Sequence, residues 1–318
     1  MKKSKFRDFI LHLVIMCFAA MTLMPFSFAL NNSFRSNAEL YRSFFGFPRE
    51  MRQAAHAGWA MIRGSDLQFA VEDWDNEGEE SVVSASTAFH QHVRNFTRGY
   101  RLAWDVLRDY MINTLIVVSV TASGVVLMGS ITAYILSRYR FPGSRFFYYM
   151  IISTMMFPAV LTLVPSFMLV RELGLLNTYW AMLFPYIAGG QVFAMFIFKG
   201  FFDGLPEELF ESARIDGAGH VQLYLNIVVP LSKPIISVVL IMNVFATWNN
   251  FLWPFVVNTE GEYHVIASGL YVMATSHFAQ NFSTLFAAYM VSSIPLLILF
   301  TYATKPFIQG VTSGAFKA

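Results

Sequence analysis

The chain has 318 residues, of which 56% are hydrophobic and 13% charged, about half the charged share of an average soluble domain. Its net charge is only +2, no nucleic-acid partner is expected, and the single cysteine, Cys17, excludes an internal disulfide or a thiolate metal cluster. An ordinary water-soluble domain is excluded by the same composition, because apolar runs recur with too little charge to cover them.

A bilayer core about 30 Å thick needs roughly 20 apolar residues per helix. On that scale the chain reads as an all-α polytopic membrane protein with about six spans: Phe9 to Leu30, Tyr110 to Ser137, Phe146 to Val170, Tyr179 to Phe198, Pro234 to Val257 and Ser283 to Ala303. Lys2, Lys3, Lys5 and Arg7 precede the first run, as in a secretory signal peptide. Leu11 to Leu30 is longer than a usual signal core, so residues 1–30 read as an inner tail and an uncleaved first span. The short connections on the same side as that tail contain Arg138, Arg140, Arg145, Lys199, Arg214 and Lys233, whereas those on the other side have only Arg171. The positive-inside bias places both termini, including the tail 305–318, in the cytoplasm.

Residues 31–109 form a long outer segment of mixed charge, expected to be solvated and partly folded. Within it, Asp73, Asp75, Glu77 and Gly78 match the first landmarks of a calcium loop, but Ser84 stands where the closing glutamate belongs, and a solvated acidic turn is expected instead. His90 and His92 have no clustered partner and are expected to be exposed bystanders. Phe96, Tyr100, Trp104 and Leu107 recur at helical spacing, suited to a helix lying along the outer membrane surface.

The core, residues 110–304, contains an inner connection, 199–233, with the most specific motif of the chain. Pro206 followed by Glu207 and Glu208 is good chemistry for a helix start. Leu209 to Ile215 continue that helix, Asp216, Gly217 and Gly219 break it, and a second helix runs from His220 towards Val229. Asn113, Gln191, Asn243, Asn249, Asn250, Ser292 and Ser293 are polar groups in apolar surroundings and must face other helices or a pathway. Pro158, Pro165, Pro185 and Pro295 interrupt apolar runs and are expected to bend them. No phosphate-binding loop, nucleophile elbow or H-E-x-x-H helix is present, so the chain reads as no enzyme, and its driving energy must come from an ion gradient or a partner.

The loop resembles the EAA motif of permease subunits of bacterial binding-protein-dependent ATP-binding-cassette importers: Glu211, Ser212, Ala213, Gly217, Ile227 and Pro230 hold the motif's positions. Ser212 for the first alanine and Val229 for leucine are its two departures. Further stretches look like the maltose-type second permease: Asn113 to Leu115, Arg138 to Gly143, Trp248 to Pro254 and Gly310 to Lys317. The resemblance covers about Tyr110 to the carboxyl terminus and nothing of Asn31 to Asp109.

It implies a type I importer permease fold in the bacterial cytoplasmic membrane, paired with a homologous permease as a heterodimer. Two ATP-binding cassette subunits, which bind the ATP and magnesium, and an extracytoplasmic solute-binding protein complete the assembly; the chain itself needs no cofactor. It further implies that Glu207, Glu208, Glu211, Ser212, Ala213, Arg214, Asp216, Gly217, Ala218 and Gly219 form a cytoplasmic coupling helix that docks on an ATPase subunit. Glu260, Tyr263 and Tyr271, in the outer connection 258–282, then become candidates for contact with the binding protein, although an ordinary surface loop fits those residues equally well.

Asn113, Asn243, Trp248, Asn249 and Asn250 are the pathway candidates for a sugar or oligosaccharide, since amides and aromatic faces suit hydroxyl-rich solutes. Interhelical glue is the competing reading for each amide. A gradient-driven carrier is a rival disfavoured by the lack of mid-span charges. A membrane-anchored sensor built around 31–109 is a second, and neither accounts for Glu211 to Pro230.

Overall fold

The computed structural model describes residues 2–74, 79–276 and 281–315, which are helical apart from one hairpin and the connecting loops. They divide into two compact units, Met1–Arg108 with Leu270–Ile294, and Asp109–Gly269 with Pro295–Ala318.

The first unit begins with α1 (Lys2–Asn32), whose large side chains Phe9, Ile15, Phe18 and Met21 are all exposed, a surface suited to lipid. Two short helices follow, α2 (Asn37–Arg42) and α3 (Arg49–Ile62), then the antiparallel strands β1 (Gln68–Asp73) and β2 (Glu79–Ser84), in register from Gln68 opposite Ser84 to Asp73 opposite Glu79. Ser36 caps α2 by accepting from the Glu39 N–H at 3.3 Å. Arg35, 1% exposed, closes the loop around α2 by donating to Asn32 Oδ1 and to the carbonyls of Glu39, Ser43 and Phe44 at 2.5–3.2 Å. Val71, Ala57 and Ala88 pack the small core between hairpin and helices. The outer segment is thus folded on hydrogen bonds that its composition did not advertise.

Two expectations are corrected here. His92 is buried, its Nδ1 2.8 Å from Glu50 Oε2, and Asn95 Nδ2 donates to the same carboxylate at 3.1 Å and to the Glu72 carbonyl at 2.6 Å. His90 alone is exposed. The stripe Phe96, Tyr100, Trp104 and Leu107 does not belong to a separate surface helix, although Trp104 is exposed: it lies on α4 (Ala85–Arg138), 54 residues long, which runs about 80 Å at 1.5 Å per residue. Phe96 and Tyr100 pack against Phe34, Tyr100 meets Ser33 at 2.7 Å, and Leu107 is fully buried. Of the expected acidic turn, residues 75–78 lie outside the described residues; among those described, no cluster of His, Cys, Asp or Glu could hold a metal.

In the second unit, the third expected span is broken. α5 (Ser144–Ser153) ends in a 3-10 turn, Thr154–Met156, and α6 (Ala159–Glu172) starts after Pro158, with a bend of 103°. Pro158 disfavours a helical conformation at its predecessor, and Phe157 is extended at φ −79°, ψ 120°. α7 (Tyr179–Asp203) is continuous through Pro185. α8 (Glu208–Ile215), α9 (His220–Leu223), a π turn over Tyr224–Val228 and α10 (Val229–Leu231) then lead into α11 (Lys233–Trp248) with a 77° bend. Pro230 lacks an amide donor and crowds the carbonyl four residues back, which accounts for the widened π turn before it.

The fifth expected span is divided into α11 and α12 (Leu252–Val257), followed by α13 (Ile266–Thr275) and α14 (Phe282–Ala315). α14 stays helical beyond the expected end of the last span. Four described helices are long and apolar enough to cross a membrane unbroken, and six spans result if each bent pair counts as one. The unit's main core joins Tyr134, Met195, Phe198, Phe202, Phe210, Leu223 and Val239.

Candidate functional site: the Glu207 to Gly219 knuckle

The knuckle is built by local chemistry. Glu208 and Glu211 occupy the first turn of α8 and Arg214 the last, each complementing the helix dipole. Its end is a Schellman turn: the Ala218 N–H reaches the Ala213 carbonyl at 2.9 Å, and the Gly217 N–H reaches the Arg214 carbonyl at 3.0 Å. Gly217 makes this possible at φ 82°, a region that side chains with a Cβ resist. Gly219 then opens α9, and its N–H is accepted by the Gln222 side chain at 2.9 Å.

One side of α8 is anchored. Phe210 is fully buried in the main core, with Ala213 and Ala218 packed beside it. Its other side is exposed. Leu209 and Ile215 present apolar surface, Ile215 at 86% exposure, and the carboxylates of Glu208, Glu211 and Asp216 have no partner among the described residues. Ser212 turns its hydroxyl back to the Glu208 carbonyl at 2.9 Å. The result is a small acidic and apolar knob held from behind.

The residue that holds it is Arg138, the last of α4, which the sequence placed as an inner positive charge and the start of the Arg138 to Gly143 stretch, without a link to the knuckle. Its side chain is 7% exposed and its guanidinium lies 4.0 Å from the Phe210 ring centroid. Nη2 donates to the Phe202 and Leu205 carbonyls at 2.5 and 2.9 Å, joining the Leu205 N–H that Phe202 already accepts at 3.1 Å and meeting the Leu205 carbonyl beyond the end of α7, while Nη1 donates to Glu207 Oε2 at 2.5 Å. Glu207 also accepts from Arg214 at 3.4 Å. Around this fork, Tyr139 stacks on His220 at 4.3 Å, Ser137 donates to Asp203 at 2.6 Å, and Ser130 meets the Tyr224 hydroxyl at 2.7 Å. α4 therefore grips both helices of the knuckle.

The intramembrane candidates are placed separately. Asn113 is buried and fully used: Nδ2 donates to the Glu262 and His264 carbonyls at 2.7 and 2.9 Å, and Oδ1 accepts from the Tyr179 hydroxyl at 2.6 Å. Asn249 donates to the Phe245 carbonyl, Asn250 accepts from the Trp253 N–H at the start of α12, and Trp248 is buried. The Asn243 side-chain oxygen is buried without a partner, the one pathway candidate of the five with an open hydrogen-bonding need. Substituting Asn113 with leucine is expected to orphan two carbonyls and the Tyr179 hydroxyl at a cost of about 3 kcal/mol. A thermal melt of the detergent-solubilised protein measures this, and an unshifted midpoint would show that the three bonds add nothing.

At the outer connection, Glu260 Oε1 accepts from Asn177 Nδ2 at 3.3 Å and Tyr263 packs edge-on against Tyr179 with ring centroids 5.3 Å apart. Tyr271, half-exposed, falls in the first unit. Asn177 is a further residue that sequence reading missed: at φ 56° it accepts from the Thr259 and Glu260 N–H groups at 2.7 and 3.3 Å and so fixes this loop. Burial holds the His264 imidazole below its ordinary pKa, and its Nδ1 lies 3.2 Å from Ser268 Oγ.

Comparison with known proteins follows the same lines. Residues 125–312 match the family of binding-protein-dependent transport system inner membrane components. The chain is 32% identical over 239 residues to the diacetylchitobiose uptake system permease protein NgcG of Streptomyces coelicolor, covering 74% of this chain and 78% of that one. It is 34% identical to the arabinooligosaccharides transport system permease protein AraQ of Halalkalibacterium halodurans, over 60% of this chain and 67% of that one. Among solved structures, a chain of a bacterial transporter involved in import of the acidic polysaccharide alginate shares the fold, with a TM-score of 0.69 at 20% identity over 96% of this chain and 98% of that one.

Proposed function

The chain belongs to the family of binding-protein-dependent transport system inner membrane components, and on that premise we propose that it is a permease subunit of an ATP-driven importer of a sugar or oligosaccharide, coupled to a cytoplasmic ATPase subunit through the Glu207 to Gly219 knuckle. The substrate class follows the saccharides for which NgcG and AraQ are named. The observation that carries the coupling role is the two-sidedness of α8: Phe210 is locked into the core while Leu209, Ile215 and three unpaired carboxylates face outward. Apolar knobs rimmed by charge fit a groove with a basic lip.

Assembly with a homologous permease, two ATP-binding cassette subunits and an extracytoplasmic binding protein follows from this reading, with both termini on the cytoplasmic side of the bacterial cytoplasmic membrane. ATP and magnesium belong to the cassette subunits. In the cycle that fits, nucleotide closes the cassette pair, the pair carries the knuckles with it, and Arg138 passes the displacement to α4 and α7. A switching element of this type needs discrete, well-packed joints, since a loose loop would absorb the motion. The rival ion-gradient carrier has nothing to do with such a knob.

The test is Gly217→Val. No neighbouring atom lies within 4 Å of a Cβ at this position, so the substitution acts through the backbone: a β-branched residue at φ 82° costs roughly 1–3 kcal/mol and opens the turn. ATP hydrolysis stimulated by loaded binding protein is expected to fall between about fivefold and 100-fold, the range of ordinary coupling energies, with the complex still assembled. Unchanged stimulation counts against the docking role.

A further inference from the structure

We propose that the first unit contains a saccharide-binding site of its own, taking an uncharged sugar unit of the imported solute. The site is a half-open cavity of about 500 Å³ lined from α2, the start of α3, the end of β1, α4 and the start of α14. That volume lies within the usual range of small-molecule sites, about 300–1,000 Å³. Its lining residues include Trp74, Arg42, Glu72 and Asn281.

These groups are not spent on the protein. Among the described residues, the Arg42 and Glu72 side chains, the Trp74 indole N–H and the Asn281 amide nitrogen have no partner. Unpaired donors and an acceptor thus share one lining with an aromatic residue, the combination that a ring with several hydroxyl groups can use, since each hydroxyl both donates and accepts. Charge argues for a neutral ligand. The lining carries three arginines and three glutamates, and the two free charged side chains are one of each sign.

The walls are fixed in advance. Ser283 Oγ donates to the Ser33 carbonyl at 3.1 Å, the Phe282 N–H donates to Asn37 Oδ1 at 3.1 Å, and Asn95 ties down the Glu72 carbonyl at 2.6 Å. Gly99 allows α4 to approach α14 so closely that a Cβ there would meet Ser283 Oγ at 2.7 Å. A backbone frame held this way need not be ordered on binding.

A role for the site in import rests on the permease reading, but the binding itself does not. The experiment uses the assembled transporter in lipid nanodiscs, without binding protein or nucleotide, titrated with maltotriose, arabinotriose and diacetylchitobiose as neutral probes and trigalacturonate as an acidic one. Ligand-observed NMR and tryptophan fluorescence report binding. At least one neutral probe is expected to bind, with affinity lowered about tenfold or more by Trp74→Ala and by the isosteric Glu72→Gln, and largely retained by Trp74→Phe. The proposal is overturned if no neutral probe binds, if only trigalacturonate binds, or if both Trp74→Ala and Glu72→Gln bind as the unsubstituted protein does. A thermal melt separates lost affinity from lost folding for each variant. Because the titration requires no ATP, its failure leaves the coupling role standing, and a failure of the Gly217→Val test leaves this site standing.

Discussion

Replacing Arg138 with glutamine will uncouple transport more severely than any single change on the knuckle's exposed face. Three bonds and one ring contact depart together: the Phe202 and Leu205 carbonyls, the Glu207 carboxylate and the face of Phe210. Each hydrogen bond to a charged group contributes about 1.5–3 kcal/mol, and a buried carbonyl left open costs about 1–3. Glu207 is half-exposed, so its share is the smallest, and water can replace Arg138 there. The Leu205 carbonyl is the decisive loss, since that of Phe202 keeps the Leu205 N–H at 3.1 Å. A destabilisation of about 3 kcal/mol is expected at the joint, with stimulated ATP hydrolysis lowered between about tenfold and 100-fold. Arg138→Lys separates charge from geometry: one ammonium cannot reproduce a planar fork that bridges two carbonyls and a carboxylate. Lysine should therefore recover only part of the stimulation. Were Arg138→Gln to lower the melting temperature while hydrolysis per assembled complex stayed normal, the fork would be a fastener and not part of the drive.

The legibility of this protein follows the range of its interactions. The knuckle was readable because its chemistry is local: Pro206 and the glutamates start α8, and Gly217 ends it six residues before Leu223 packs into the core. Arg138 was not, because its partners stand 64 to 69 residues further along the chain. His92 was misread for the same reason, its carboxylate partner being Glu50, 42 residues away. Apolar run length found the spans but not their ends. Composition alone does not show that α4 continues upward through Arg94, Arg98, Arg101 and Asp105 as one helix, because charge on an exposed helix face is no obstacle to helicity. Proline was a better guide: Pro158 marks the break between α5 and α6, although Pro185 is absorbed within α7.

The remaining large effect lies where α4 and α7 touch. In a bilayer, helices gain little from burying apolar surface against one another and depend instead on close approach at small residues. Gly124, Gly129 and Gly190 supply that approach here: an added Cβ would lie 2.7 Å from Ile187 Cδ1, Ala194 Cβ and Val125 Cγ2 respectively. The three sites differ in what can yield. At Gly124 and Gly190 the obstructing atoms are side-chain ends, able to turn aside. At Gly129 the next contacts are backbone, the Met195 nitrogen at 3.1 Å and the Gln191 oxygen at 3.2 Å, so the helices themselves must separate. Gly129→Ala is expected to cost about 3 kcal/mol, lowering the melting temperature of the solubilised subunit by about 5–10 °C, and Gly129→Val to prevent its accumulation in the membrane. Gly189 is the matched control, with nothing within 4 Å of its added Cβ. There the same methyl should leave the midpoint unchanged or raise it slightly, since alanine restricts the unfolded chain. Equal effects at Gly129 and Gly189 would mean that helix propensity, and not contact between α4 and α7, sets the stability of this seam, and the grip of α4 on the knuckle would then have to be maintained by Arg138 and its neighbours alone.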